Sequence, residues 1–142
     1  MPLTRDEDIA ELLTNARTIA MIGASDRPSR ASYGVMRFLQ DHGYRVFPVN
    51  PQIPGERIHG EFVWTELAQI GEPIDIVDIF RRPEMAGEAV DQAIFVGAKA
   101  VWMQLGVINE EAAERAEAAG LKVVMDRCPK IEIARLRLPP VA

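Results

Sequence analysis

The stretch from residue 23 to residue 33, GASDRPSRASY, carries the side chains best suited to binding an anion. It follows an apolar run and precedes renewed helical periodicity, which is typical of a loop between a strand and a helix. Its three serines supply hydroxyl groups, and Arg27 and Arg30 supply guanidinium groups that pair with phosphate oxygens. The N-terminus of the following helix adds unpaired backbone N–H groups. The pattern therefore predicts a phosphate-binding loop that includes Ser25.

This loop departs from the glycine fingerprint of dinucleotide-binding proteins. The pattern G-x-G-x-x-G would require three glycines, whereas the chain has Gly23, Ser25 and Pro28 at those positions. NAD-dependent dehydrogenases also tend to carry an acid at the end of the second strand, where it holds the ribose diol. Here that position is Asn50. Both departures favour a phosphate-rich nucleotide over NAD.

The elements that must position this loop follow from the alternation of strand-like and helix-like segments. Helices are predicted at 6–15, 32–42, 64–70, 83–97, 109–120 and 130–137. Strands are predicted at 18–22, 44–50, 74–80, 99–104 and 121–126, with an irregular stretch at 51–63. Gly43 and Gly120 are expected to end helices, and Asn109 is expected to cap one.

The alternation predicts the fold class and the domain organisation. Strands separated by helix-length segments imply right-handed βαβ crossovers. We therefore expect an α/β fold with a Rossmann-like, doubly wound, five-stranded parallel sheet in a three-layer α/β/α arrangement. At 142 residues the whole chain, 1–142, is expected to form a single domain.

Cations concentrate in the loops that follow the predicted strands. Those loops carry Arg27, Arg30, Arg81, Arg82, Arg127 and Lys130, against Asp26, Glu84 and Asp126, although the chain as a whole has a net charge of -5. The carboxyl ends of parallel strands meet at one edge of a sheet, and such edges bind ligands. A basic edge on an acidic chain indicates an anionic ligand; the alternative is a set of solvated surface residues.

Composition excludes several classes of function. The negative net charge disfavours nucleic acid as a partner, and the apolar runs are too short to span a membrane. Cys128, the single cysteine, cannot form an internal disulfide, so a reducing compartment, the cytoplasm, is expected. No set of histidines, cysteines or acids has the spacing of a metal site.

The candidate catalytic residues lack partners in the sequence. His42 and His59 are expected to be structural or exposed to solvent, and no base is evident beside Cys128. Asp75 and Asp78 lie in a strand that looks buried, where hydrogen bonding is the expected role. We therefore expect no catalytic residues and no resident metal.

Several motifs, taken in order, resemble the small CoA-binding protein family, which is itself similar to the N-terminal domain of the succinyl-CoA synthetase alpha subunit. They are IGASDRP, SYGV, GYRVFPVNP, VDIFRRPE, GAKAVWMQLGVINEEA and AGLKVVMDRC, and the likeness covers roughly residues 15 to 135. The resemblance implies a Rossmann-type fold with coenzyme A as its ligand. The first loop would surround the diphosphate, and the loops after strands two to four would surround the rest.

The resemblance also implies which residues contact the ligand. Gly23, Ala24 and Ser25 match the turn into the phosphate loop, Arg30 and Tyr33 match the stretch after it, and Asn50 and Pro51 match a motif beside the adenosine. Phe80 and Arg81 would line the adenine or pantetheine path, and Gln104 and Gly106 match the loop after strand four. The charge pattern adds Arg27 and Arg82 to this set.

These observations predict a binding module for a small-molecule ligand, coenzyme A or an acyl-CoA, without catalytic activity of its own. One alternative is a small enzyme that acts on a CoA thioester or another nucleotide. A second alternative is an interaction module whose bound nucleotide reports metabolic state to a protein partner.

Overall fold

A computed structural model describes residues 1–141 of the chain. The α-helices are α1 (Asp6–Asn15), α2 (Ala31–Asp41), α3 (Ala86–Val96), α4 (Glu110–Ala118) and α5 (Pro129–Arg135). The strands are β1 (Thr18–Ile22), β2 (Arg45–Val49), β3 (Arg57–Ile58), β4 (Glu61–Phe62), β5 (Ile76–Ile79), β6 (Ala100–Met103) and β7 (Lys122–Val124). Short 3-10 helices cover Leu67–Gln69 and Pro83–Met85.

The main sheet is parallel, with the strand order β2-β1-β5-β6-β7. The chain moves outward from β1 to β2, crosses back to the other side of β1, and then continues outward through β5, β6 and β7. The order therefore reverses between β1 and β5, and this reversal opens a crevice at the carboxyl ends of the strands. The predicted five-stranded parallel sheet is confirmed.

Both outer strands of this sheet are partly covered by other segments. Trp64 forms a parallel bridge with Val49 of β2. In this bridge the Trp64 N–H donates to the Pro48 carbonyl (3.0 Å), and the Trp64 carbonyl accepts from the Asn50 N–H (2.8 Å). At the other edge, the Leu3 N–H donates to the Val123 carbonyl of β7 (2.7 Å). Trp64 thus lies where a further strand would extend the sheet beyond β2.

The strands bury their side chains on both faces, and helices cover each face. Helices α1, α2 and α5 pack over one face, whose core includes Leu13, Ile19, Met21, Met36, Val46, Trp102 and Ile133. Helices α3 and α4 and the 3-10 helix at Leu67–Gln69 pack over the other, whose core includes Ala20, Ile22, Val77, Val90, Met103 and Ala116. Strands that are covered on both faces are nearly continuously apolar, as the sequence of β5 indicated. The predicted three-layer arrangement is confirmed.

Two helix ends have clear capping geometry, and the cap at Asn109 was predicted from the sequence. Gly97 follows α3 in the left-handed conformation (φ 72°), which a residue without a side chain adopts at little cost. The Asn109 side chain precedes α4 and accepts a hydrogen bond from the Ala112 N–H (3.0 Å). Glu110 and Glu111 occupy the first turn of α4, where the helix dipole favours negative charge.

The segment from 51 to 70 differs from the prediction. Its first part contains an antiparallel hairpin of β3 and β4, whose two turn residues, His59 (φ 48°) and Gly60 (φ 85°), are both left-handed. This is the geometry of a tight hairpin turn, and two-residue strands are too short to produce a detectable alternation. The predicted helix at 64–70 is reduced to one 3-10 turn, because Trp64 is held in the sheet bridge.

Candidate functional site

A cleft of about 740 Å³ lies at the carboxyl ends of β1, β2, β5 and β6, at the point where the strand order reverses. This volume is within the range of small-molecule sites. Four loops form its walls, one after each of these strands. The reversal of strand order thus coincides with this cleft.

Eleven of the thirteen predicted contact residues line this cleft. They are Gly23, Ser25, Arg27, Arg30, Asn50, Pro51, Phe80, Arg81, Arg82, Gln104 and Gly106. They come from four loops that are separated by up to 83 positions in the sequence, and the parallel sheet brings them together because all four strands end at the same edge.

Ala24 and Tyr33 do not line the cleft, although both contact segments that do. Ala24 is buried, and its carbonyl accepts a hydrogen bond from Asn50 Nδ2 (2.8 Å). The Tyr33 ring packs against His59 with 4.1 Å between ring centroids, and the Tyr33 carbonyl accepts from His59 Nε2 (2.8 Å). Ala24 therefore joins two loops of the cleft, and Tyr33 joins α2 to the β3–β4 hairpin.

The first loop is held by contacts that fix the path of its backbone. Gly23 has a φ of 86°, and a Cβ atom at this position would collide with the carbonyl oxygen of Phe80. Within the loop, the Ser25 N–H donates to Ser32 Oγ (3.0 Å), and the Arg27 N–H donates to Ser25 Oγ (3.1 Å). The loop therefore turns tightly over the end of β5, and only glycine fits at its first position.

Asn50 connects the first loop to the loop after β2. Its Nδ2 donates to the Ala24 carbonyl (2.8 Å), and its Oδ1 accepts from the Gln52 N–H (2.8 Å). Both ends of the side-chain amide are therefore used within the protein. The position at which a dehydrogenase would hold a ribose diol is a structural link in this chain.

Helix α2 begins at the cleft without a side chain to cap it. Its cap position is Arg30, whose side chain has no acceptor for the first N–H groups of the helix. Ala31 and Ser32, in the first turn, line the cleft. An uncapped helix N-terminus that opens into a cleft combines unpaired donors with the positive end of the helix dipole, which favours an anion.

The charge of the cleft is positive. Four arginines line it, Arg27, Arg30, Arg81 and Arg82, together with a single acid, Asp26. Arg82 forms an exposed ion pair with Glu84 (3.5 Å). Within residues 1–141, the other three arginines of this group form no ion pair with a carboxylate. Positive charge without internal neutralisation attracts a polyanionic ligand.

Two cations of the predicted basic edge lie outside the cleft. Arg127 pairs with the buried carboxylate of Glu132 (2.9 Å), which also pairs with Arg135 (2.8 Å). Lys130 Nζ lies 5.7 Å from the centre of the Phe38 ring. Both residues follow β7, which does not contribute to the cleft, and their contacts stabilise the packing of α5.

The sequence did not single out three apolar residues of the lining, Ile53, Leu105 and Val107. Ile53 lies beyond Asn50 on the β2 side, and Leu105 and Val107 follow β6 on the opposite side. A turn shapes this second loop: the Val107 N–H donates to the Gln104 carbonyl (2.8 Å), and the Gly106 N–H donates to Asp126 Oδ1 (2.7 Å). Their position next to residues that were predicted is the signal that could have identified them.

The residues considered as catalysts do not line the cleft. His42 stacks between Phe38 and Tyr44, and Cys128 is buried at the start of α5. Burial raises the pKa of Asp78 well above its usual range, so its carboxyl group is favoured in the neutral form.

Residues 1–141 contain no group of three or more histidines, cysteines and acids placed to hold a metal ion. No helix in this part of the chain is long and apolar enough to cross a membrane.

Asp75 has the opposite environment. Burial alone would raise its pKa, but the Arg17 N–H (2.7 Å), the Thr18 N–H (3.2 Å) and the ammonium group of Lys99 outweigh burial and lower it. This carboxylate lies at the start of β5, at the edge of the sheet opposite the cleft. Its contacts give it the structural role that the sequence indicated.

A comparison with protein-family models matches residues 17–134 to the CoA binding domain. The chain belongs to this family. Among its relatives is the Bacillus subtilis (strain 168) protein YneT, which is 39% identical over 124 residues, 87% of this chain and 90% of YneT. A Pyrococcus horikoshii OT3 protein of solved structure is 42% identical, with a TM-score of 0.90 over 96% of each chain. The predicted resemblance and the Rossmann-like fold of this CoA-binding domain are thus confirmed.

A more distant relative is the alpha subunit of an ADP-forming acetate–CoA ligase from Pyrococcus furiosus. It is 24% identical over 80% of this chain, but the matched region makes up only 28% of that subunit. The CoA-binding domain described here therefore corresponds to about a quarter of the ligase subunit.

Proposed function

We propose that this CoA-binding domain binds coenzyme A, or an acyl thioester of it, in the cleft and performs no chemistry on it. The observation that carries the proposal is the juxtaposition of an uncapped helix N-terminus with Arg27, Arg30 and Arg81, none of which is paired with a carboxylate within residues 1–141. Coenzyme A carries a diphosphate and a ribose phosphate, and this cleft supplies donors and positive charge for such a ligand.

The shape of the first two loops supports coenzyme A over NAD. The first loop has glycine at only one of the three fingerprint positions, and Asn50 uses both ends of its amide inside the protein. A ribose diol at this position would find no free acid. Membership of the family, and a distant relative named as a CoA ligase subunit, support the same ligand.

The absence of chemistry is part of the proposal. Cys128 is buried outside the cleft, and neither histidine lines it. An enzyme acting on CoA thioesters is the alternative, and it would need a nucleophile or base that reaches the cleft. The buried thiol and the absence of an internal disulfide are compatible with a reducing compartment such as the cytoplasm.

Isothermal titration calorimetry with coenzyme A and with NAD tests the ligand. We expect coenzyme A to bind more tightly for two reasons. NAD has one phosphate fewer, and the position after β2 carries Asn50 instead of the acid that would hold the ribose diol of NAD. Equal or reversed affinities would contradict the proposal. Mass spectrometry of any small molecule that remains bound after gentle purification gives an independent result, and an acyl-CoA would identify the acyl group.

A further inference from the structure

Three buried oxygen atoms beneath the cleft have no hydrogen-bond partner among residues 1–141. They are both carboxyl oxygens of Asp78 and Oε1 of Gln104. Asp78 has no exposed surface, and Gln104, which lines the cleft, is only 6% exposed. Burial of a polar atom without a partner is unfavourable, so each such atom requires an explanation.

These atoms belong to neighbouring side chains. Asp78 lies opposite Trp102 in the register of β5 and β6, and Gln104 follows two positions after Trp102. The Gln104 N–H donates to the Ile79 carbonyl (3.3 Å), which continues the ladder of the sheet by one step. Because side chains alternate across a strand, both side chains point to the face that α2 and α5 cover. The parallel register of β5 and β6 therefore makes them diagonal neighbours on one face of the sheet.

The chemistry of these groups suggests how they satisfy one another. A carboxylate and an amide oxygen are both acceptors, so an ionised Asp78 could not bond to Oε1. A protonated carboxyl group has one O–H donor, and complete burial favours that form. An O–H···Oε1 hydrogen bond would pair two of the three oxygens with each other. It would also fix the amide plane, leaving Nε2 as the end of Gln104 that is available to the cleft.

The position of Gln104 indicates which part of a ligand it would reach. If the diphosphate lies at the start of α2, one arm of coenzyme A extends over the loop after β2 and the other over the loops after β5 and β6. On the β6 side, Leu105 and Val107 lie beside the amide of Gln104 in the lining of the cleft. This combination matches the pantetheine arm, which is partly apolar and carries two amide carbonyl groups.

We propose that Asp78 is a positioning residue whose hydroxyl donates to Gln104 Oε1, and that Gln104 Nε2 donates to a carbonyl oxygen of the pantetheine arm. Gln104 would then determine specificity for ligands that carry this arm. This inference rests on the proposed function, because it assumes that coenzyme A occupies the cleft.

Titration of coenzyme A and of ADP into three proteins tests the role of Gln104. ADP has a diphosphate but no pantetheine arm. Gln104→Met, which keeps the length of the side chain but removes the amide, should weaken coenzyme A binding roughly three- to tenfold and leave ADP binding unchanged. Arg30→Ala should weaken both. If the unsubstituted protein binds coenzyme A and Gln104→Met affects both ligands equally or neither, the inference is wrong. If the unsubstituted protein does not bind coenzyme A, the proposed function is wrong.

Two substitutions of Asp78 test its role as a donor. Asp78→Asn keeps an N–H donor, and Asp78→Leu has a similar size without one. We expect Asp78→Asn to retain full affinity for coenzyme A, and Asp78→Leu to lose as much affinity as Gln104→Met, with no further loss in the double variant. Full affinity in Asp78→Leu, or an equal loss in Asp78→Asn, would overturn the inference. Should Asp78→Leu not fold, the result for Asp78→Asn still decides, since a loss of affinity there contradicts the proposed donor.

Discussion

Arg30 is at an unusual position for an arginine, the N-terminal cap of a helix. Serine, threonine, aspartate and asparagine are preferred there because their oxygens accept from the first N–H groups, and arginine has no acceptor. In this chain the position lines the cleft, and the residue is exposed. The donors of the helix and the guanidinium group therefore face the same space.

The first prediction concerns this residue. Arg30→Ala should weaken coenzyme A binding roughly ten- to a hundredfold, because a charge-assisted hydrogen bond contributes about 1.5–3 kcal/mol and about 1.4 kcal/mol corresponds to a factor of ten. Arg37→Ala is the matched control: it removes the same charge from the same helix, where Arg37 forms an exposed ion pair with Asp41 (3.3 Å). Calorimetry at two salt concentrations measures both. Equal effects of the two substitutions would show that only net charge matters.

A second prediction concerns the stability conferred by Asp78. Burial raises the pKa of Asp78 in the folded state above the ordinary value of 3.8. The contribution of this group to the free energy of unfolding is therefore fully present below pH 3.8, and it is lost as pH rises toward the folded-state pKa. Asp78→Asn does not ionise. The variant should therefore gain stability relative to the original protein as pH rises, by up to about 1.4 kcal/mol per pH unit within this window. Urea unfolding between pH 4 and pH 7 measures the difference.

Asp75→Asn provides a control of opposite sign. Hydrogen bonds from Arg17 and Thr18 and the charge of Lys99 lower the pKa of Asp75, so its contribution is present above the unfolded-state pKa and is lost as pH falls. Asp75→Asn should cost stability at pH 7 and less at pH 3. A parallel pH dependence in the two variants would contradict the assigned environments.

Cleft residues could be predicted from the sequence where a polar or charged residue type coincided with a place just after a predicted strand. The arginines and Asn50 were identifiable because they follow strand-like runs and belong to recognisable motifs. Tyr33 was assigned to the cleft on its motif alone, yet the turn of α2 directs its ring toward His59. Ile53 and Val107 carry no distinctive chemistry, so their nearness in sequence to predicted residues was the one signal that could have pointed to them.

At the scale of elements, Asn109 connects two parts of the molecule. Its Oδ1 accepts from the Ala112 N–H at the start of α4, and its Nδ2 donates to the carbonyl of Pro83 (3.0 Å), which lines the cleft. The cap of α4 is thereby linked to the loop that follows β5. The sequence predicted the cap from the residue type and the acidic turn after it, but not the second bond, which spans 26 positions.

The third prediction separates these two contacts. Asn109→Ala should reduce the free energy of unfolding by about 1 kcal/mol, because it removes the cap. Asn109→Asp keeps the capping oxygen and loses the donor to Pro83, so it should retain most of the stability. Chemical denaturation of both variants measures this. An equal loss in the two would mean that the bond to Pro83, rather than the cap, stabilises this region.

Elements with strong periodicity were predictable, and short ones were not. Helix α1 has the predicted bounds, 6–15, because its apolar residues recur at helical spacing and are buried as expected. The β3–β4 hairpin has two residues in each strand, and its left-handed turn uses His59, a residue type that does not signal such a turn. The bridge at Trp64 depends on a tertiary neighbour, Val49, which local pattern does not reveal.

At the scale of the whole molecule, binding should stabilise the folded state. The cleft is formed by four loops that are separate in the unfolded chain, so a ligand of the cleft binds only the folded protein. At a free concentration one hundred times its Kd, such a ligand contributes about 2.7 kcal/mol. The fourth prediction is that Tm rises with coenzyme A concentration. NAD at the same concentrations should raise it less, and an equal rise with both would contradict the ligand preference.

The fifth prediction concerns turnover. Incubation with acetyl-CoA should release no free thiol above background, and Cys128→Ser should bind coenzyme A as the original protein does, because Cys128 is buried outside the cleft. A thiol-reactive dye follows the release. Steady release that disappears in Cys128→Ser would establish the enzyme alternative.

The covered edges of the sheet bear on how copies of this protein meet at high concentration. An open edge strand is a template for pairing with another chain, and this is a common route to aggregation. The outward-facing backbone positions of β2 and of the residue after it are Val46, Pro48 and Asn50. Pro48 has no N–H, its carbonyl accepts from the Trp64 N–H, and the Asn50 N–H donates to the Trp64 carbonyl. Of these three positions within residues 1–141, Val46 is the one whose outward N–H and carbonyl groups have no hydrogen-bond partner. At the other edge, Leu3 covers part of β7. At both edges, therefore, fewer backbone groups are available for pairing with another chain, and loss of the Trp64 bridge would expose those of Pro48 and Asn50.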